Sequence, residues 1–405
     1  MRRLIAAMLA TSARAVSTAW WKSIGAPTHV CAPMVDQSEL AFRELARRYG
    51  AGLCYTPMLH AGLAAGDDNY LQGKFTTKKG DWPLVAQFAG HDPAVVCRAA
   101  ERTLDLAGPH VDNIVALDLN LGCPQQIARK GRYGAWLWER DADACVAVIR
   151  ALRTNFGDDQ RAISGKVRIL PPGDVDAVAE TVDRCLRLAD AGASLICVHG
   201  RTRDQNKQLS GAANWASIRA VCDALNARGV VTVANGNVGD LGDVENALEA
   251  TGCDAVMSSE GLLANPSLFV RNRDGDGEYV GARRLAREYL TLAKETGGEL
   301  SDARGHLFKI LHGGLTARVD LRTTLSTAPS LDALHAVVDA LDHADPAELL
   351  EARLDDPADR MGWYWRHRVA KDAERDPDIL KARLERKLLK SARRNAAKRR
   401  IGAVS

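Results

Sequence analysis

The nine cysteines contain no C-x-x-C pair, so neither a zinc framework nor a thioredoxin-like redox motif is visible. Their number is odd and their spacing scattered, which suits a reducing compartment better than a disulfide scaffold. Cys54, Cys185 and Cys197 lie in apolar runs and read as small core residues. No apolar stretch approaches the roughly 20 residues of a transmembrane helix, and no membrane association is expected. No G-x-G-x-x-G turn follows the first strand-like run, which disfavours a dinucleotide-binding Rossmann domain. No internal repeat is evident. Acidic residues are missing before Asp36, where Arg2, Arg3 and Arg14 stand among Ala, Ser and Thr. Such an N-terminus reads either as an organellar transit peptide or as a disordered arm leading into the first helix. Otherwise a cytoplasmic location is expected.

The composition that remains is that of an ordinary globular protein. The 405 residues are 46% hydrophobic and 26% charged, enough for one large domain and a smaller one. A core of this size can enclose a cofactor pocket without disulfides or structural metal. The formal net charge of +3 says little, but its distribution is uneven. From Lys381 to Arg400 there are ten Lys and Arg residues and one acid, Glu385. That block reads as an arm for polyanions or as a solvated tail.

Eight short apolar runs, several rich in Val and Ile, recur between residues 28 and 263. They are His29–Val35, Gly52–Met58, Leu84–Gly90, Ile114–Leu121, Ile163–Ile169, Leu195–Gly200, Val230–Asn235 and Ala255–Ser259. Amphipathic segments such as Glu39–Tyr49, Asp143–Phe156 and Asp174–Ala191 separate them. Strands alternating with helices imply a parallel sheet, and eight such units suit a (β/α)8 TIM barrel. The connection His60–Asp81 is long and polar, readable as a substrate rim or as an insertion. Beyond Arg283 the pattern is helical only, over Arg283–Ala293, Gly305–Leu311, Leu331–Leu341 and Ala347–Leu354, after a hinge-like Asp274-Gly275-Asp276-Gly277. The expected division is an arm at 1–27, an α/β barrel at 28–275, a small all-helical C-terminal domain at 281–380 and a basic tail at 381–405.

In such a barrel, chemistry collects at the C-terminal strand ends. Here those ends carry Pro33-Met34-Val35, Gln87, Asn120 and Cys123, Lys166 and Arg168, His199 and Arg201, Asn235-Gly236-Asn237, and Ser259-Glu260. Each has a bland alternative: a strand end, a satisfied core histidine, a turn. Lys166 is the hardest to dismiss, because a lysine inside an apolar strand is rare without a partner. Polar groups from five or six separate strand ends would converge on one mouth. FMN needs partners for its ring edge, a cation near N1 and O2, and backbone amides for its phosphate. Gln87 and Lys166 are the right types for the ring, and the glycines at 236 and 261 would admit backbone N–H groups to a phosphate. Cys123 lies between Gly122 and Pro124. A free thiol, mostly protonated at neutral pH, can donate the proton that must accompany hydride addition to a double bond. An inert buried cysteine and a nucleophile are the other readings, the latter without an identifiable base.

Together these residues resemble the tRNA-dihydrouridine synthase family over roughly Val30 to Phe269. The resemblance rests on Ala32-Pro33-Met34-Val35-Asp36, Val85-Ala86-Gln87-Phe88, Asn120-Leu121-Gly122-Cys123-Pro124, Lys166-Val167-Arg168, His199-Gly200-Arg201-Thr202, Asn235-Gly236-Asn237 and Asn265-Pro266, in that order. Asp36-Gln37-Ser38-Glu39-Leu40, Gly131-Arg132-Tyr133-Gly134-Ala135 and Met257-Ser258-Ser259-Glu260-Gly261 look most like the eukaryotic branch acting at D-loop positions 16 and 17. The resemblance implies FMN reduced by NADPH or NADH, hydride transfer to C6 of a flipped-out uracil, and protonation of C5 by Cys123. It further implies that Pro33–Val35, Gln87, Lys166, His199, Asn235–Asn237 and Ser259–Glu260 hold FMN. Asn120, Arg168 and Arg201 are the expected substrate contacts, and the C-terminal helices a grip on tRNA. A monomer is expected. Many bacterial members of the family have Gly-Arg where this chain has Ser259-Glu260, so backbone amides or Arg201 would carry more of the phosphate contact. The alternatives are another FMN barrel reductase acting on a small molecule, such as a dihydroorotate dehydrogenase or an ene-reductase, and a non-catalytic tRNA-binding protein on a degenerate barrel.

Overall fold

The computed structural model describes residues 19–157, 161–173, 175–206, 210–270, 281–342 and 363–364. The expected hinge at 274–277, the helix at 347–354 and the basic block at 381–400 lie outside these residues.

All eight expected strands form. They are β1 (His29–Cys31), β2 (Leu53–Tyr55), β4 (Leu84–Ala89), β5 (Ile114–Leu121), β6 (Ala162–Arg168), β7 (Leu195–His199), β8 (Val231–Asn235) and β9 (Ala255–Ser258). A two-residue β3 (Leu59–His60) adds to the edge of β4. Every pairing is parallel, β1 joins β9, and β2 joins β4, so the sheet closes on itself as a TIM barrel. The helices form an outer ring, and several of their starts are set by side-chain caps that the sequence supplies one residue ahead of the helix. Asp92, Asp141, Asp176, Asn214 and Asp240 each accept a backbone N–H of the first turn.

Strand periodicity divides the apolar residues into two cores. Residues facing outward, such as Leu117, Leu119, Ile163, Val167, Ile196 and Val198, pack against the helices. Alternate residues, among them Leu53, Tyr55, Val85, Ala116, Leu195, Cys197, Val231, Val233 and Met257, fill the barrel interior. Trp20, Trp21 and Ile24 join this inner core from below. The Trp20 indole N–H donates to the Val115 carbonyl at 3.1 Å, plugging the N-terminal end of the barrel.

The connection His60–Asp81 is not the extended loop its polar composition suggested. It holds helices Ala61–Ala64 and Asp68–Lys74, the second capped by Asp67. Its end is pinned by a buried ion pair, Arg43 to Asp81 at 2.6 Å, and Arg43 also donates to the Ser38 and Thr76 carbonyls.

After the barrel come helices Ala282–Thr296, Leu300–Ile310, His312–Ala317, Val319–Thr327 and Leu331–Asp342. The first two of them dock on the helix Leu40–Arg48 that follows β1. His306 is buried against Phe42, with ring centroids 4.5 Å apart, and its Nε2 meets Glu39 Oε2 at 3.1 Å. Tyr289 donates to the other Glu39 oxygen at 2.8 Å. Among the described residues, no helix is long and apolar enough to cross a membrane.

Candidate active site

The inner faces of the strands change character toward their C-terminal ends. On β5 the inward series runs Ala116, Asp118, Asn120; on β6 it runs Ser164, Lys166, Arg168. Register places Gln87 beside Asp118 and Asp118 beside Ser164, with Asn120 beside Lys166, Arg168 beside His199, and His199 beside Asn235. Polar residues from β4 to β8 therefore line one mouth.

Cys123 sits on the turn after β5 and is only partly exposed. Its backbone N–H and that of Gly122 donate to Asn120 Oδ1 at 3.0 and 3.1 Å. Its carbonyl accepts from Ala135 at 3.0 Å. A Cβ at Gly134 would come within 2.7 Å of the Cys123 carbonyl oxygen, and φ there is +66°. Glycine is thus required where the Gly131–Ala135 segment closes over the cysteine. Tyr133 packs beside the same residue, and Trp136 donates to the carbonyls of Pro124 and Gln125 at 3.3 and 3.1 Å. Burial raises the Cys123 thiol above its ordinary range, so the group holds its proton at neutral pH.

Lys166 donates to Asn235 Oδ1 at 3.0 Å, and Asn235 is held in turn by the Met257 carbonyl at 2.8 Å. Burial lowers the Lys166 ammonium. Arg168 donates to the carbonyls of Gly122 and Thr202, both at 2.8 Å, tying the cysteine turn to β6. Burial, followed by the charge of Arg201, brings Arg168 down to about 10. Arg201 is buried by contacts to the Ser210 and Gly211 carbonyls and to Asn237 Oδ1 at 2.7 Å. It also meets His199 Nε2 at 3.1 Å. Since a guanidinium only donates, that imidazole nitrogen accepts.

A cavity of about 230 Å³ opens at the ends of β6 to β9. Arg168, His199, Arg201, Asn235, Gly236, Asn237, Ser259 and Glu260 line it, so eight of the expected site residues meet in one space. Gln87, Asn120 and Cys123 lie on the neighbouring strand ends, outside its lining. Met34 packs against both cores while Val35 is 51% exposed on the turn after β1. Gly236, at φ +109°, leaves no room for a Cβ beside Ala213 and the His199 ring. A protein contact already demands that glycine. Glycine is demanded at 261 too, where a Cβ would lie 2.3 Å from the Val238 carbonyl oxygen.

Three site residues escaped sequence reasoning. Asp118 is fully buried, accepting from Gln87 Nε2 at 2.8 Å and Ser164 Oγ at 2.7 Å. Desolvation pushes its carboxyl up to about 6. Ser164 is the second. The third is Tyr364, a buried wall of the cavity contributed from far along the chain. The signal for Asp118 was available: an acid inside the run Ile-Val-Ala-Leu-Asp-Leu-Asn-Leu is as unusual as Lys166 in its strand.

The family model for dihydrouridine synthase (Dus) matches residues 30–340. A Rattus norvegicus relative described as tRNA-dihydrouridine(16/17) synthase (NAD(P)(+))-like is 41% identical over 324 residues, which is 80% of this chain and 68% of that protein. The corresponding Mus musculus protein, 40% identical, is matched over 63% of its length. A Saccharomyces cerevisiae tRNA-dihydrouridine(16/17) synthase (NAD(P)(+)) is 40% identical over 312 residues, covering 75% of this chain and 70% of its own. The matched span runs from within β1 through the rest of the barrel strands to the helices that dock on the barrel, and the chain belongs to the dihydrouridine synthase family.

Proposed function

We propose that this chain is an FMN-dependent tRNA-dihydrouridine synthase that reduces the C5–C6 double bond of uridine in the D-loop, at positions 16 and 17, with NADPH or NADH as reductant. The observation that carries the reading is Cys123: a thiol kept protonated by burial and held by Asn120 on a braced turn at the mouth of the barrel.

Two features of the mouth fit the flavin. An ammonium has three donors, and Lys166 makes one hydrogen bond, to Asn235; the others suit the N1 and O2 edge of the ring. Arg168 and Arg201 stand close enough for one to depress the other, an effect that Glu260 and Glu139 offset only in part, and an anion beside them would be favoured. Pro33, Met34 and Val35 after β1, Gln87 and Lys166 would hold the ring. His199, Asn235, Gly236, Asn237 and Ser259, helped by Arg201, would hold the phosphate end. Glu260 lines the same cavity, and a carboxylate there suits the ribityl hydroxyls better than the phosphate. Bound there, FMN would accept a hydride from NADPH or NADH and deliver it to C6 of the uracil.

Cys123 then supplies the proton to C5 from Sγ, and its burial favours the thiol that this step requires. Asn120 fixes the turn, and Arg168 ties the turn to β6. The extruded base must be held against this mouth, and the helices beyond residue 281 together with the basic block at 381–400 are our assignment for the rest of the tRNA. Nine free cysteines, seven of them buried, suit a reducing cytoplasmic setting. The test is direct. Purified protein should be yellow, and with NADPH and unmodified tRNA should produce dihydrouridine mapped to positions 16 and 17. A colourless protein, or reduction of a small ene substrate but not of tRNA, contradicts the assignment.

A further inference from the structure

Six residues in the mouth form one hydrogen-bonded line, and its direction is forced from one end. The backbone amides of Gly122 and Cys123 can only donate, and both donate to Asn120 Oδ1. Asn120 must therefore turn its Nδ2 toward Gln87, whose Oε1 it meets at 2.8 Å. Gln87 in turn must present Nε2 on its far side, where Asp118 Oδ2 accepts at 2.8 Å. Ser164 Oγ donates to the other Asp118 oxygen at 2.7 Å. Gln87, Asp118 and Ser164 are fully buried, and Asn120 is nearly so. Bulk water does not reach the core of this line to stand in for a missing partner.

A line forced in this sense needs an acceptor beyond Gln87 Nε2, and a carboxylate supplies one in either state, because it accepts when ionised and keeps an accepting oxygen when protonated. Gln87 then has a single orientation, Asn120 has a single orientation, and the turn carrying Cys123 is gripped by an oxygen rather than repelled by an NH2 group.

We propose that Asp118 is a positioning residue for the Cys123 proton donor: it supplies the buried acceptor that completes the line through the Gln87 and Asn120 amides and so holds the turn that aims Cys123 Sγ. This rests on the reading of Cys123 as the acid.

The test uses the full-length, flavin-loaded protein and reads two quantities. One is kcat and KM on tRNA. The other is the rate at which iodoacetamide alkylates Cys123 in a Cys97→Ser background, Cys97 being the other partly exposed cysteine among those described. Asp118→Ala should lower kcat by about 10- to 100-fold, the cost of a misplaced reacting group, with KM for tRNA unchanged and the alkylation rate altered. Asp118→Asn should keep most of kcat, since the introduced carbonyl can face Gln87 while its NH2 faces Ser164 Oγ. Asn120→Asp alone should fail, because two carboxylates then face the same glutamine and only one can receive its NH2. Adding Asp118→Asn to Asn120→Asp should restore turnover, since the line can then run in the opposite sense and still end on an oxygen at Cys123. That recovery does not depend on the alanine variant folding.

The proposal is overturned if the double variant is no better than Asn120→Asp. It is equally overturned if Asp118→Asn is as damaged as Asp118→Ala, which would assign the role of Asp118 to its charge. A parallel Cys123→Ala variant separates the two levels. Full turnover there overturns the reading of Cys123, and the alkylation rates alone then decide whether Asp118 positions the turn.

Discussion

The floor and the mouth of this barrel are built from the same strands and differ in almost every other respect. At the floor, Trp20 and Trp21, with rings 5.7 Å apart, close the inner core over Val115, Ala116, Leu195 and Val231. Further along the strands the inner face turns polar, already at Asp118 on β5 and Ser164 on β6, and toward the last residues it is Asn120, Lys166, His199 and Asn235. The floor gains its free energy from area removed from water. The mouth has little apolar area to bury and is held by directed hydrogen bonds, including those of two buried arginines, that leave few alternatives. Stability and chemistry are thereby placed at opposite ends of one set of strands. Changes at the floor should move the unfolding equilibrium and spare turnover, and changes at the mouth should do the reverse.

The largest effect expected from breaking that separation is at Trp20. Trp20→Ala removes a buried indole and its hydrogen bond to Val115, at a cost of about 3–5 kcal/mol. Denaturant unfolding should show that loss, while kcat per folded, flavin-loaded molecule stays near wild type. A fall in kcat as large as that of a mouth variant would mean that floor and mouth are mechanically one unit.

A smaller effect with a distinct pH signature is expected at Asp118. Its carboxyl is raised from 3.8 to about 6 in the fold, so the folded state binds this proton more tightly than the unfolded chain does. The stabilisation from that proton is complete below the unfolded value and is lost as pH rises through about 6, a change of about 3 kcal/mol at most. Asp118→Asn has no ionisation to undergo. Its stability relative to wild type should therefore climb between pH 4 and pH 6 and level off above. A difference independent of pH would show that the carboxyl titrates in the fold as it does in the open chain.

Much of this architecture is legible in the chain. The Val- and Ile-rich runs mark all eight barrel strands because strands buried on both faces leave near-continuous apolar sequence. Helix starts are legible to within about three residues, near acids such as Asp141 and Asp176, each of which caps the helix after it. The segment after His60 misled because short helices capped by polar residues have the composition of a loop. Lys166 stood out as a charge in an apolar strand. Asp118, equally out of place, was masked by its neighbour Asn120, which already accounted for the polarity of that strand end. The glycines at 236 and 261 pointed to a ligand by type, yet protein atoms occupy the space a side chain would need. Tyr364 carries no local signal at all, since its place in the cavity wall depends on a fold-back across more than a hundred residues. Trp20 and Trp21 are similar: two tryptophans beside a basic arm do not announce a barrel floor.

On the proposed reading the mouth divides its labour, with the flavin accepting hydride and Cys123 supplying the proton. Cys123→Ala in flavin-loaded protein tests it most directly, by following the two half-reactions in anaerobic stopped flow. NADPH should bleach the flavin of this variant at the wild-type rate, whereas reoxidation by tRNA should slow by about 100-fold or more, as loss of a general acid does. Reoxidation by tRNA at the wild-type rate would contradict that reading.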